Sequence, residues 1–337
     1  MIAFIGGRSG HGYHIYTIAD DGKAFRCLTE TFPLKGAVFF DPIWSLDGKS
    51  LAFTFKEHPL SPYSQVCTIS IDSGEVHYLT PPERNGFALQ WLSNGALVYS
   101  EQIIQPSEAD SYLCTMNGDG SQQQRVFHYS RYRGVNYEPD SYHGVVLSPD
   151  GSKIAMVSWQ DHQLYIRHEA STPTLIENED LQVQRAAWAS DNSTLAFTAV
   201  RAQPRKYEDL YVTRDDGTGK KRIGRVLAES GFTWSPDNQR IATVSVHKDE
   251  FIINMINVQT LKSHTITTFD IDPESGNTPG CLQWSHDGMY ICYTTFAGPY
   301  THIYRVEVMT RQTELLMGDE GAFRSISSLS WHGSGGD

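Results

Sequence analysis

Short, almost wholly apolar runs recur along the chain, each announced by the same polar turn. The runs are Leu51-Ala52-Phe53, Leu97-Val98-Tyr99, Ile154-Ala155-Met156, Leu195-Ala196-Phe197, Ile241-Ala242-Thr243 and Ile291-Cys292-Tyr293. A strand that alternates apolar and polar residues has one face in water, whereas an unbroken apolar strand is covered on both faces. Ahead of each run stands a variant of Trp-Ser-x-Asp-Gly: WSLDG from Trp44, WLSNG from Trp91, LSPDG from Leu147, WASDN from Trp188, WSPDN from Trp234 and WSHDG from Trp284. A seventh copy, from Trp331, breaks off at the C-terminus, and the seventh apolar run, Ile2-Ala3-Phe4, stands at the N-terminus. The steps between copies are 47, 56, 41, 46, 50 and 47 residues.

A third strand follows each run, as in His14-Ile15-Tyr16, Gln65-Val66-Cys67, Tyr112-Leu113-Cys114, Asp209-Leu210-Tyr211 and His302-Ile303-Tyr304. The fifth copy, around Ile252 to Ile256, is looser. Tight turns such as Asp20-Asp21-Gly22 and Asp215-Asp216-Gly217 come next, because Asp-Gly supplies the positive φ of a short hairpin. A fourth strand closes the unit. Each unit is a four-stranded antiparallel meander that cannot bury its own faces, so the units must stack. The small middle residue of each triplet lets the next sheet come close. The prediction is all-β: a seven-bladed β-propeller, one domain over 1–337. Its blades fall near 38–80, 86–128, 142–177, 182–225, 229–269 and 279–317, with the seventh made of 325–337 plus 1–30. Sharing that blade between the two ends ties the ring shut and leaves no open sheet edge.

Charge narrows the partners. A net charge of −12 argues against nucleic acid, and no Lys/Arg run suggests an anionic membrane surface. No apolar run reaches membrane length, so no membrane insertion is expected. The segment MIAFIGGRSGHG lacks a basic region, a long apolar stretch and a small-residue cleavage site, and it belongs to a blade, so it is not read as a signal peptide. Five cysteines, most in strands, read as reduced core thiols and a cytoplasmic monomer, with an exported mature form left open.

The pattern W-S-x-D-G-x-x-I-A-F, then I-Y, then D-x-D-G and L-T resembles the TolB-like propeller family across essentially the whole chain. That family is related to WD-repeat propellers, whose Gly-His and Trp-Asp signatures are missing here. The shared residues are structural, so the resemblance carries no catalytic residue over. TolB's own propeller has six blades and a separate N-terminal domain; this chain reads as seven blades and no such domain. Similar repeats form the gating propellers of prolyl-oligopeptidase-type peptidases, whose hydrolase domain carries Gly-x-Ser-x-Gly. Nothing closer than Gly7-Arg8-Ser9-Gly10-His11 occurs here. Oligogalacturonate lyases are also similar in repeat style, which implies an enzyme as the second reading.

Candidate chemistry lies on the face that carries the loops between second and third strands and between blades, where length and composition vary. The longest step holds His128 to His143, with four Tyr, two Arg and two His. Arg131, Arg133 and Tyr137 in it suit stacking on sugars or gripping an acidic ligand, although a loop packed by its own tyrosines would look the same. Trp159, outside the repeated position, is either a stacking platform or a lid on a neighbouring core. Beside it, Asp161 and His162 read as an acid–base pair or as solvated loop residues. Just ahead of the innermost strands, Asp41, His143 and Arg185 enter the channel mouth as a carboxylate, an imidazole and a guanidinium.

His11 and His14 point to opposite faces of a strand and do not converge on a metal. His302, His247, Glu57-His58 and Glu101-Gln102 are further loop candidates. No cofactor is expected, with a divalent cation in the central channel left open. The first reading is a non-enzymatic propeller that binds an oligosaccharide, another ligand or a protein partner on its loop-rich face. The second is a carbohydrate-active lyase or hydrolase with His143 as general base, Asp41 orienting it, and Arg185 or Arg133 neutralising a sugar carboxylate. A third is a scaffold acting through its blade edges.

Overall fold

The computed structural model describes all residues outside 9–11, 31, 33–35, 105–108, 131–141, 169–170, 177–180, 202–205, 229, 271–279, 298–299, 319–322 and 333–337. At 104, 109, 130, 142–143 and 296–297 it describes the backbone alone. The strands form seven four-stranded antiparallel sheets, six of them meanders of consecutive strands. The seventh joins Phe323–Trp331 to Ile2–Arg8, Gly12–Ile18 and Arg26–Cys27. The molecule is a seven-bladed β-propeller. Blades 1 to 6 are numbered in chain order from Val38, and the shared blade is blade 7.

The apolar runs are the second strands, and their double burial is visible residue by residue. In blade 1 (Ser50–Lys56), Leu51, Phe53 and Phe55 enter the core shared with blade 7, while Ala52 enters the core shared with blade 2. Seven such clusters form, one at each blade interface. Each fully buried Leu, Ile or Phe contributes roughly 1.5–3 kcal/mol. The small column, Ala3, Ala52, Ala155, Ala196, Ala242 and Cys292, is wholly buried. All five cysteines are free thiols, and burial pushes those of Cys67 and Cys292 up.

The repeated turn has a bond for each of its letters. The Trp44 indole donates to Ser330 O of the preceding blade at 3.0 Å. Trp91 donates likewise to Ile43 O, Trp188 to Val146 O, Trp234 to Ala187 O and Trp284 to Thr233 O. Every acceptor is the residue just ahead of the previous blade's Trp or Leu147. Leu147 itself has no indole, and there Gln90 Nε2 donates to Leu147 O across the same gap. The Ser of the motif bonds its Asp (Ser45 Oγ to Asp47 Oδ1, 2.7 Å) and accepts Ser50 N, closing the turn. The Gly or Asn takes the left-handed φ, +67° at Gly48 and +57° at Asn238.

Closure follows the same logic. Ile2 pairs with Trp331, Gly7 with Ser325 and Arg8 with Phe323, so the shared innermost strand starts two residues earlier than Ser325. Gly6 is required there: a Cβ on it would stand 2.4 Å from the Phe323 ring.

Candidate functional site

Three residues ahead of the Trp position the innermost strands bulge, with register breaks at Phe40/Ile43, Ala88/Gln90, His143/Val146, Val183/Arg185 and Gly280/Gln283. Asp41, Gly144, Gly231, Cys281 and Ser328 have left-handed backbone at this position. A bulge turns its side chain out of the ladder.

Asp41 and Arg185 stand at this position, and the contacts they make run sideways. Asp41 Oδ1 accepts Ser328 Oγ at 2.6 Å, from the equivalent position in blade 7. The Arg185 guanidinium lies against Gly231, its counterpart in blade 5, where a Cβ would stand 3.3 Å from Nη1. No ion pair joins Asp41 to Arg185 among the described residues. His143 lies in the innermost strand of blade 3, opposite Val157, and its side chain is outside the described residues, as are Arg131, Arg133, Tyr137 and His11.

Trp159 and His162 sit in a tight loop. His162 N donates to Ser158 O, and His162 O accepts Val183 N from the next blade. The Asp161 carboxylate accepts Gln163 N at 3.0 Å and Tyr165 OH at 2.8 Å. Burial raises the pKa of that carboxyl, but these bonds outweigh it and leave the pKa lowered. His14 lies within 3.1 Å of Thr29 O and Oγ1 and holds the strand that leaves blade 7. His58 Nδ1 accepts Leu60 N within its own turn. Among the described residues no group of three His, Cys, Asp or Glu is placed to hold a metal ion.

The strongest charged constellation is one the sequence marked only by Glu101. The Glu101 side chain, in the second strand of blade 2 (Leu97–Ile104), is 4% exposed and is gripped from two sides. Arg84, on the connection from blade 1, donates to Oε1 at 2.6 Å. Arg125, from the outermost strand (Gln124–Ser130), donates Nε and Nη2 to Oε2 at 2.9 and 2.7 Å. The Arg125 guanidinium also lies 4.0 Å over the Tyr112 ring. The two arginine side chains stay 49% and 45% exposed. One buried carboxylate thus fixes two guanidiniums whose remaining donors face solvent, and the cluster carries one net positive charge. His128, three residues on, meets Asp110 Oδ1 at 2.9 Å and packs its ring beside Tyr112. All of this stands at the root of the long Tyr/Arg segment.

On the opposite face, where the Trp-Ser-x-Asp-Gly turns emerge, two cavities of about 550 and 270 Å³ lie around the channel. His286 and Trp331 line both. Burial, then the N-terminal ammonium and His286, push the His332 imidazole down. The indole N–H groups around these cavities are already bonded, that of Trp331 to Asp20 Oδ1 and the others to backbone carbonyls, so what remains open is mostly Leu, Pro, Ser and the two histidines.

No protein-family profile and no curated protein matches the sequence. Solved structures do. TolB from Acinetobacter baumannii superposes over 98% of this chain and 66% of its own, with TM-score 0.54 and 14% identity. An oligogalacturonate lyase from Vibrio parahaemolyticus covers 90% of this chain and 84% of its own, with TM-score 0.61 and 16% identity. A puromycin-hydrolysing peptidase of Mycobacterium tuberculosis covers 90% of this chain and 50% of its own, with TM-score 0.62 and 12% identity. The seven sheets define the class, a seven-bladed β-propeller, and the likenesses show that its fold is TolB-like.

Proposed function

We propose that this propeller is a non-catalytic binding protein that takes a carboxylate-bearing ligand, an acidic oligosaccharide, on its loop-bearing face. The arginine pair held by Glu101 carries the reading. Guanidiniums fixed in advance lose little side-chain freedom on meeting a carboxylate, and each can still offer a two-pronged donor edge. Tyr112, already under Arg125, adds an aromatic edge of the kind that packs on sugars. On a chain of net charge −12 a fixed cationic cluster is an exception. Long-range attraction of an anion is therefore weak, and recognition rests on contact.

Calorimetric titration with oligogalacturonate and with a neutral oligosaccharide of equal length tests this. Binding of the acidic chain alone is expected, weakened about tenfold by Arg84→Gln, as for loss of one charge-assisted contact of about 1.4 kcal/mol. Equal binding of both sugars, or none, rejects the proposal. The lyase reading draws on one observation, the His128–Asp110 pair beside the arginines: a carboxylate orients an imidazole that faces solvent. Unsaturated products from polygalacturonate that vanish in His128→Ala would replace the binding proposal with that one.

A further inference from the structure

The interface between blades 4 and 5 changes character along its length. Toward the turns it is apolar, built from Ala196, Leu210, Val212, Ile223, Ile241 and Ile256. Strand alternation puts Thr198 on the face of Ala196, Glu208 on that of Leu210 and Val212, and Thr243 on that of Ile241. The register agrees: Thr198 lies opposite Leu210, Glu208 opposite Val226 of the same cluster, and Thr243 opposite Phe232, which packs on it. These three side chains therefore continue the apolar cluster toward the loop-bearing end of one cleft. Ser230 stands two residues ahead of Phe232, across the left-handed Gly231 at the mouth of the same strand. Across the same two blades Tyr207 OH donates to Val246 O at 3.1 Å.

Each of the four carries a buried oxygen with no hydrogen-bond partner: Thr198 Oγ1, Glu208 Oε2, Ser230 Oγ and Thr243 Oγ1. Thr198, Thr243 and Glu208 are 0%, 1% and 6% exposed. Hydroxyls can solvate a carboxylate but cannot neutralise it, and an uncompensated buried charge is strongly destabilising. Arg185 pairs through its backbone with Thr198, yet its guanidinium rests at Gly231 and forms no ion pair with Glu208.

We infer that this cleft is a cation site, with the Glu208 carboxylate as the charged ligand and the hydroxyls of Thr198, Ser230 and Thr243 as neutral ones. An all-oxygen donor set selects a hard cation; without imidazole or thiolate it has no preference for softer metals. One carboxylate balances one positive charge, which favours sodium over calcium. The ion would pin blade 4 to blade 5 at the loop-bearing end, next to Arg185.

Thermal unfolding of the full chain at constant ionic strength, in choline chloride, in sodium chloride and in choline chloride with millimolar calcium, tests the site. Sodium is expected to raise the midpoint by about 2 °C over choline, the scale of a bound ligand on a chain of this size. A rise with calcium alone assigns the divalent ion to the same ligands. Glu208→Gln should abolish the response to either ion and melt in choline at or above the unsubstituted protein, because the unpaired charge is gone. Thr243→Val, nearly isosteric, should reduce the response and serves if Glu208→Gln fails to fold. The inference falls if all three salts give one midpoint, or if Glu208→Gln keeps the full response. It falls equally if a crystal grown in sodium shows Arg185 or water alone on Glu208.

Discussion

The two faces of the ring are organised on different principles. On the turn face one set of bonds recurs in most blades: indole to the preceding carbonyl in five of them, with Gln90 to Leu147 O and Trp331 to Asp20 in the other two, Ser to Asp, and Gly or Asn in the left-handed region. On the loop face, beyond the bulge itself, few side-chain contacts recur among the described residues. The arginine pair on Glu101 occurs in blade 2, the Asp161–Tyr165 bond in blade 3, and Asp41 meets Ser328 at a single interface. The difference separates what holds the ring together from what is free to specialise. A contact made at every interface is fixed by the geometry of stacking, whereas a contact made once answers to something else.

The sharpest test of that division is to break the turn-face ring where its ends meet. Deleting 325–337 removes most of the innermost strand of blade 7. It uncovers the edge of Ile2–Arg8, empties the cluster around Ile326 and Leu329, and takes away the Ser330 carbonyl that receives Trp44. A bare, largely apolar strand edge is an aggregation site. The truncated chain should aggregate or lose cooperative unfolding altogether in a thermal melt followed by light scattering. A truncated chain that melts like the full one would show that blade 7 closes nothing.

Repetition also explains what the sequence disclosed. Seven aligned copies make the strand order, the small buried column and the shared blade readable without coordinates. Each copy repeats one physical requirement, so accidental residues average out. The bulge ring left a fainter trace: Asp41, Gly144 and Gly231 tolerate left-handed backbone, but Cys281 and Ser328 do not announce it. The loop face offered no averaging. Glu101 looked like a minor loop residue because its partners Arg84 and Arg125 lie 17 and 24 positions away. Asp161 was legible as a carboxylate in a loop, but not that the turn would hand it Gln163 N and Tyr165 OH. Residue type shows what chemistry is on hand; only register shows who meets whom.

Tryptophans on the two faces sharpen the comparison at a smaller scale. Trp234 packs on the blade 4–5 core and donates to Ala187 O at 3.1 Å. Trp234 is half-buried, so Trp234→Ala should cost about 3 kcal/mol, the low end for large-to-small changes in a core. Trp234→Phe keeps most of the packing and should cost about 1–2 kcal/mol for the stranded carbonyl. Trp159→Ala, at a position that holds Trp in no other blade, should cost less than Trp234→Ala. Urea unfolding midpoints at constant m-value give the comparison. Equal losses at Trp159 and Trp234 would erase the distinction between the faces.

The smallest effect concerns acid. The Ser45 hydroxyl, then Lys49 N–H, hold the Asp47 carboxyl below its usual range. At Asp237 burial pushes the carboxyl up, but Ser235, Gln239 N–H and the Arg240 charge outweigh it and leave it lowered. A carboxyl whose folded pKa lies below its unfolded value of about 3.9 adds stability that is fully present above that value. The contribution disappears as pH falls through the lower, folded pKa. Stability should therefore stay level from neutral pH to about 5 and then fall below about 4 as the repeated turns protonate. Asp47→Asn with Asp237→Asn should give a lower plateau and a shallower acid limb, because an amide side chain accepts the same bonds without titrating. If the double variant keeps the full acid limb, the stabilising carboxylates are not a property of the repeated turn.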